Sequence, residues 1–190
     1  VPSILKDNLS IPVIGSPLFI ISNPDLVTAQ CKAGVIGSFP ALNARPEPVL
    51  EEWLDRITSE LKDHDRNNPD NKAAPFAVNQ IVHGSNARLK HDMDMCEKYK
   101  VPIIITSLGA KQWVNDQVHG WCGIVLHDII NNRFAKSAIS KGADGLIALA
   151  AGAGGHAAPL SPFPLIQALR ASFAGPLLFS GSLSSRDSVL

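Results

Sequence analysis

The sequence predicts an α/β fold in which short buried strands alternate with amphipathic helices around a parallel sheet. Apolar runs rich in Val, Ile and Leu recur along the 190 residues, and longer stretches with helical periodicity lie between them. Seven runs are strand candidates: 12–14, 35–39, 76–82, 102–107, 123–127, 145–150 and 176–180. Eight parallel strands close a barrel at a typical length of about 250 residues. We therefore expect residues 1–190 to form one (β/α)8 barrel domain that lacks its last strand and C-terminal part, with an open doubly wound sheet as the alternative.

Caps and apolar periodicity support the predicted helices. Asn23-Pro24 and Ser161-Pro162 each place a capping side chain before a proline, so both pairs predict the start of a helix. Apolar residues recur at helical spacing within 50–61 and within 89–96. We interpret the polar stretch 63–72 as a surface loop, because the alternation of strands and helices resumes directly after it.

Composition excludes several classes of function. Lys and Arg together number 17, as do Asp and Glu, so no net charge directs the chain to nucleic acid or to a membrane surface. No apolar stretch reaches the roughly 18 residues of a membrane span, and no GxGxxG, P-loop or HExxH motif is present. Cys31, Cys96 and Cys122 form no CxxC pair, so we expect neither disulfides nor a metal site, and interpret all three as small buried residues in a reducing, cytoplasmic environment. The ends at Val1 and Leu190 suggest a fragment or a processed chain.

In either α/β architecture, ligands bind at the carboxyl ends of the strands. The most informative stretch there is 146–156, in which a buried strand runs into small residues and then His156. Small residues let the backbone approach a planar ligand closely, and an imidazole can act as a base near neutral pH. The alternative interpretation is a glycine-rich turn followed by an exposed histidine.

Three further positions have both a ligand-binding and an ordinary interpretation. The stretch 180–185 could hold a phosphate on its N–H groups and hydroxyls, or form a turn with a helix cap. Asn79, near the end of a buried strand, could meet the polar edge of a planar ligand or bond to a neighbouring loop. We interpret Asp128 as the cap of a helix beginning near Ile129, in preference to an orienting pair with His127.

Five short segments, in order along the chain, resemble one known family. They are PVIGSPLF at 12–19, GSFPALN at 37–43, PFAVN at 75–79, GADG at 142–145 and GAGGH at 152–156. Together they resemble nitronate monooxygenase, formerly called 2-nitropropane dioxygenase, and the similarity runs from about Ile11 to Leu190. The resemblance implies a TIM barrel that binds FMN and oxidises alkyl nitronates with molecular oxygen to a carbonyl compound and nitrite.

The resemblance also assigns residues. It places the catalytic histidine at His156, as a base toward the nitroalkane or as an imidazolium that binds the nitronate anion. Its FMN-contacting positions fall on Pro17, Leu18, Phe19, Asn79, Gly155, Gly181 and Ser182. Asp128 stands where some members have a lysine that helps to hold FMN, so we expect different cofactor contacts there. The eighth strand of the family and the rest of its phosphate loop have no counterpart in this sequence.

The expected partners are small molecules, a nitronate or nitroalkane and O2, and a homodimer is one candidate assembly. Two rival interpretations stay open. The first is the related FMN-dependent enoyl-acyl carrier protein reductase, which would consume NAD(P)H. The second is a truncated, non-catalytic barrel that binds a ligand or a partner.

Overall fold

A six-stranded parallel sheet organises the chain. The computed structural model describes residues 2–5, 8–154 and 158–189. Its strands are β1 (Gly37–Pro40), β2 (Phe76–Ile81), β3 (Ile103–Ser107), β4 (Ile124–Ile129), β5 (Gly145–Leu149) and β6 (Leu177–Ser180). Each strand pairs in parallel with its successor in the order β1-β2-β3-β4-β5-β6. This order is that of an incomplete (β/α) barrel, which confirms the predicted fold class.

Helices occupy the crossovers between the strands, as parallel pairing requires. They are α1 (Pro24–Lys32), α2 (Val49–Asn67), α3 (Leu89–Lys98), α4 (Gln112–Gly120), α5 (Asn132–Ser140), α6 (Pro162–Arg170) and α7 (Arg186–Val189), with 3-10 turns at Ser3–Leu5 and Ala41–Asn43. The predicted starts of α1 and α6 are confirmed, and the Asn23 side chain caps α1 by accepting a hydrogen bond from the Leu26 N–H. Within the described residues, no helix is long and apolar enough to cross a membrane.

The first strand candidate, 12–14, is reduced to a single bridge, so the prediction of a three-residue strand was wrong. Ile14 pairs in parallel with Ile36, and the Gly15 N–H donates to the Ile36 carbonyl at 2.8 Å. Pro12 and Pro17 lack the N–H groups that would extend the ladder on either side. The bridge still places Ile14 alongside the chain that leads into β1, and so extends the sheet by one residue on that side.

Two predicted boundaries were also wrong. Helix α2 continues to Asn67, into the stretch expected to be a loop, because exposed charged residues do not interrupt a helix. It ends where Asn68 precedes Pro69, and a residue before proline disfavours helical backbone. Strand β4 continues through Ile129, so Asp128 is not a helix cap.

The cap of α5 is Asn131, whose Oδ1 accepts a hydrogen bond from the Phe134 N–H at 3.1 Å.

Among the cysteines, Cys122 is exposed, so its predicted burial was wrong. It lies in the turn before β4 with φ +65°. Cys31 and Cys96 are buried as predicted, and burial raises the pKa of their thiols to about 11 and about 12.

Alternation along the strands gives the sheet an outer and an inner face. Outer residues such as Phe39, Val78 and Ile104 pack against α1 to α4, and Leu146 and Ala148 pack against α5 and α6. The inner face has its own apolar cluster, formed by Ile36, Ala77, Ile103, Ile105 and Leu126, with Ile14, Ile147 and Leu178 packed against it. Ile4, Leu5 and Leu9 of the N-terminal segment also pack on this inner cluster.

Candidate functional site

A polar layer follows the apolar cluster on the inner face, at the carboxyl ends of the strands. Side chains two positions apart on a strand share a face. Four inward-facing apolar residues are each followed, two positions later, by a polar residue: Ala77 by Asn79, Ile105 by Ser107, Leu126 by Asp128 and Leu178 by Ser180. The sheet therefore places Asn79 and Asp128, which the resemblance assigns to the cofactor, on the same inner layer.

Asn79 is held by its neighbours on β3 and keeps one polar atom available. Its Nδ2 donates to the Ile105 carbonyl at 3.2 Å and to Ser107 Oγ at 2.7 Å. The side chain is buried, yet its Oδ1 receives no hydrogen bond from any residue in the described part of the chain. The amide is thus fixed in orientation, and its oxygen can accept a hydrogen bond from a ligand N–H.

His127 and Asp128 point to opposite faces of the sheet and do not form an orienting pair. Asp128 lies half-buried on the inner face, opposite Ile147. His127 is buried on the outer face, with Nδ1 2.6 Å from Thr106 Oγ1. Burial, with a smaller contribution from the positive charge of Lys141, lowers the pKa of His127 to about 4. His127 is therefore neutral near pH 7 and is part of the packing between the sheet and its outer helices.

The segment 16–22, between the Ile14 bridge and α1, projects apolar side chains into solvent. Leu18 is 43% exposed, Phe19 59%, Ile20 76% and Ile21 61%. The guanidinium of Arg45 lies 5.0 Å from the centre of the Phe19 ring. Pro17, Leu18 and Phe19, three of the predicted cofactor contacts, thus lie on an exposed apolar segment at the same edge of the barrel as the polar layer.

The loops after β5 and β6 contact each other. The Ser182 N–H donates to the Gly152 carbonyl at 2.8 Å, just beyond the hydrogen bond from the Ala150 N–H to the Ser180 carbonyl. Gly152 has φ +89°, and a Cβ there would lie 2.1 Å from Ser182 Oγ, so only glycine fits this position. His156 and Gly155 lie outside the described residues, but the stretch that leads to them begins beside Gly181 and Ser182.

The predicted phosphate-holding stretch already uses several of its N–H groups. Besides the Ser182 N–H, those of Ser184 and Ser185 donate to Ser188 Oγ at 3.2 and 3.1 Å. A phosphate bound here would compete with protein acceptors for these three donors. The role of Gly181 and Ser182 at a phosphate remains a prediction.

Asn43 and Ser22 hold the segment 16–22 in place, and neither was predicted from the sequence as a site residue. Asn43 makes three hydrogen bonds to backbone groups of the segment, and Ser22 Oγ accepts from the Leu18 N–H at 2.9 Å. The GSFPALN segment contains Asn43, but a partner more than twenty residues away in sequence leaves no local periodicity to detect. Ser107, the partner of Asn79, was visible only as part of a strand end.

A separate surface groove of about 460 Å³ lies between α5 and α6. Asn131, Asn132, Arg133, Leu160, Pro164, Leu165 and Ala168 line it. Of the predicted site residues that the structure describes, none is among them. We therefore place the candidate site at the inner polar layer and not in this groove.

Comparison with known proteins shows similarity in fold. No protein-family model and no curated protein sequence matches the chain. Among solved structures, FabK from Thermotoga maritima matches 98% of this chain with a TM-score of 0.74 and 19% identity, and a single-residue variant of it matches 98% with a TM-score of 0.78 and 18% identity. Nitroalkane oxidase from Streptomyces ansochromogenes matches 93% of this chain with a TM-score of 0.76 and 16% identity.

The chain spans 55 to 60% of the length of these three structures. At this level of identity the comparison concerns the fold. It confirms the incomplete (β/α) barrel predicted from the sequence.

Proposed function

We propose that this chain forms part of the FMN site of an oxidoreductase that converts alkyl nitronates and O2 to a carbonyl compound and nitrite. The observation that supports it most is the convergence of the assigned residues. The assigned residues come from four distant parts of the sequence and lie at the end of the sheet formed by the carboxyl ends of its strands. They are Pro17 to Phe19, Asn79, Asp128 and the Gly181-Ser182 pair. Carboxyl ends of barrel strands are where TIM-barrel enzymes place their active sites.

The residues at this edge fit a flavin. The available Asn79 Oδ1 can accept from an N–H on the edge of the ring system, and its orientation is already fixed by Ser107. The exposed side chains of Leu18 and Phe19 offer apolar surface to a planar ring. FMN would supply the redox chemistry, and the protein would supply position and electrostatics.

His156 has the catalytic role in this proposal. It takes the proton from the carbon next to the nitro group, or binds the nitronate anion as imidazolium. A positioned general base is typically worth about 100-fold to 10,000-fold in rate. The hydrogen bond between Gly152 and Ser182 supports this assignment. It holds the start of the stretch that leads to His156 beside Gly181 and Ser182, the residues proposed to hold the FMN phosphate.

Nitrite production tests the proposal. The purified 190-residue chain, incubated with excess FMN, is given propyl-2-nitronate in air, and nitrite is measured against FMN alone. We expect protein-dependent nitrite release. A chain that binds FMN and yields no more nitrite than free FMN would exclude nitronate oxidation.

A second candidate is supported by the FabK matches, namely an FMN-dependent enoyl-acyl carrier protein reductase. Such an enzyme would oxidise NADH or NADPH in the presence of an enoyl thioester. Loss of absorbance at 340 nm with crotonyl thioester, and no nitrite from nitronates, would favour it. A chain that is colourless after it has been mixed with FMN and desalted would favour the non-catalytic barrel.

A further inference from the structure

The segment 16–22 has a conformation that its own sequence does not favour. Ile20 adopts φ +67°, in the left-handed region that a β-branched side chain rarely enters. Leu18, Phe19, Ile20 and Ile21 are exposed, so apolar burial within the described structure does not hold them in place. Within the segment, Ser22 exchanges two hydrogen bonds with Leu18, and the Ile21 N–H donates to the Phe19 carbonyl at 2.8 Å. The other hydrogen bonds to the turn come from outside it.

Asn43 supplies most of those bonds. Its Oδ1 accepts from the Ile20 N–H at 3.1 Å, and its Nδ2 donates to the Leu18 and Ser22 carbonyls, both at 2.9 Å. One amide thus satisfies a donor and two acceptors on the same turn, using all of its donor capacity and one acceptor site. The bond to the Ile20 N–H acts directly on the residue with the strained φ.

Asn43 is itself held by the barrel. It ends the 3-10 turn Ala41–Asn43, which follows β1 directly, and Ala41 and Ala44 on either side are completely buried. The start of the segment is tied to the same strand, because the Ser38 hydroxyl donates to the Gly15 carbonyl. Asn43 therefore fixes the exposed turn relative to β1.

We propose that Asn43 is a positioning residue for ligand binding, which fixes Leu18 and Phe19 in the conformation that contacts the flavin ring. This inference rests on the proposed function, since it takes the flavin as the ligand of this edge. Without Asn43 the segment would sample other conformations, and the apparent affinity would fall in proportion to the fraction that remains competent.

The test compares FMN binding by four forms of the full chain: parent, Asn43→Ala, Asn43→Asp and Asn115→Ala. Asn43→Asp keeps the acceptor for Ile20 and loses both donors. Asn115→Ala is the matched control, because Asn115 also uses its amide to bond a backbone carbonyl, that of Lys141 at 2.8 Å, but on the outer helix α4. Affinity is measured by quenching of FMN fluorescence, and folding by thermal unfolding.

We expect Asn43→Ala and Asn43→Asp to bind FMN roughly tenfold or more weakly than the parent, as the loss of two or three hydrogen bonds to one turn implies. Asn115→Ala should bind FMN as the parent does, even where its unfolding temperature falls. An Asn43→Ala chain that binds FMN with parental affinity would overturn the inference.

Glycine at position 20 provides a rescue, because glycine adopts positive φ without the cost paid by isoleucine. The double variant Ile20→Gly, Asn43→Ala should recover part of the lost affinity. Rescue separates a conformational role of Asn43 from a general loss of stability, and a double variant that binds as weakly as Asn43→Ala would contradict the conformational role.

Amide hydrogen exchange separates this inference from the proposed function. In Asn43→Ala, exchange in the peptide that contains Ile20 should accelerate, while β1 should stay protected. If the parent binds no FMN, the proposed function fails and the ligand role of Asn43 fails with it. Unchanged exchange at Ile20 would contradict the conformational role whatever the parent binds.

Discussion

Mild acid is expected to destabilise the fold through His127. This side chain is 3% exposed on the outer face of β4, and its pKa is lowered from 6.5 to about 4, first by burial and then by Lys141. Because the folded state disfavours the protonated form, the unfolded chain binds more protons between these two values. Stability is therefore complete above about pH 6.5 and falls as the pH drops toward about 4.

The size of the effect follows from linkage. A change from 6.5 to about 4 in the pKa of His127 corresponds to roughly 2 kcal/mol of unfolding free energy lost between about pH 7 and about pH 5. Urea unfolding at a series of pH values measures it. The pKa values of Glu51, Glu60 and Asp94 are lowered by their ion pairs with Lys or Arg, so these carboxylates affect stability mainly at lower pH.

The control for this experiment is His127→Gln, which removes the titrating group and keeps a polar side chain near Thr106. The variant should lose most of the pH dependence in this window, whatever its stability at neutral pH. A parent chain that is equally stable at about pH 7 and about pH 5, or a variant with the full parental dependence, would refute the reasoning.

Three further changes are expected to have distinct effects. Gly152→Ala should destabilise the chain by roughly 1–3 kcal/mol in urea unfolding, because a Cβ at φ +89° clashes with the loop after β6. Arg88→Met should cost roughly 3–5 kcal/mol in the same assay. It removes the guanidinium that lies 3.0 Å from Oδ1 of the fully buried Asp92 carboxylate and leaves only the His91 ring nitrogen, at 3.2 Å, beside that oxygen. His156→Asn should lower oxidation of neutral nitroalkanes by about 100-fold or more while FMN affinity is retained.

The two stability changes each have a matched control. Gly154→Ala lies two residues beyond Gly152 in open space and should be tolerated within about 0.5 kcal/mol. Lys90→Ala removes an exposed pair with Asp94 on the same helix as Asp92 and should cost at most about 0.5 kcal/mol. Equal costs within either pair of variants would contradict the structural explanation, and a His156→Asn chain with the parental rate would exclude a base role for His156.

The sheet could be predicted from the sequence because its strands are buried on both faces and appear as continuous apolar runs. The helix starts at Pro24 and Pro162 were equally local, since a capping residue and a proline suffice to mark them. The ends of helices and strands were harder to predict from the sequence. Asp128 is a polar residue within a strand that faces the inner layer, and sequence alone does not distinguish it from the polar residue that ends a strand.

The candidate site was predictable where residues directly follow strands, as with Asn79 and with Gly181-Ser182. The supporting contacts were not. Asn43 bonds to backbone groups 21 to 25 residues away, and backbone partners leave no signature in side-chain pattern. Similarly, only the φ of Gly152 and its contact with Ser182 show that this glycine is required by packing between two loops.

The visible absorption spectrum of the purified chain mixed with FMN and then desalted tests the central claim most directly. We expect a yellow protein with a bound flavin band, and release of FMN on denaturation. We also expect the band to weaken in a variant that removes the Asn79 amide, such as Asn79→Leu. A folded parent chain that stays colourless after desalting would contradict the assignment of the inner polar layer as a flavin site.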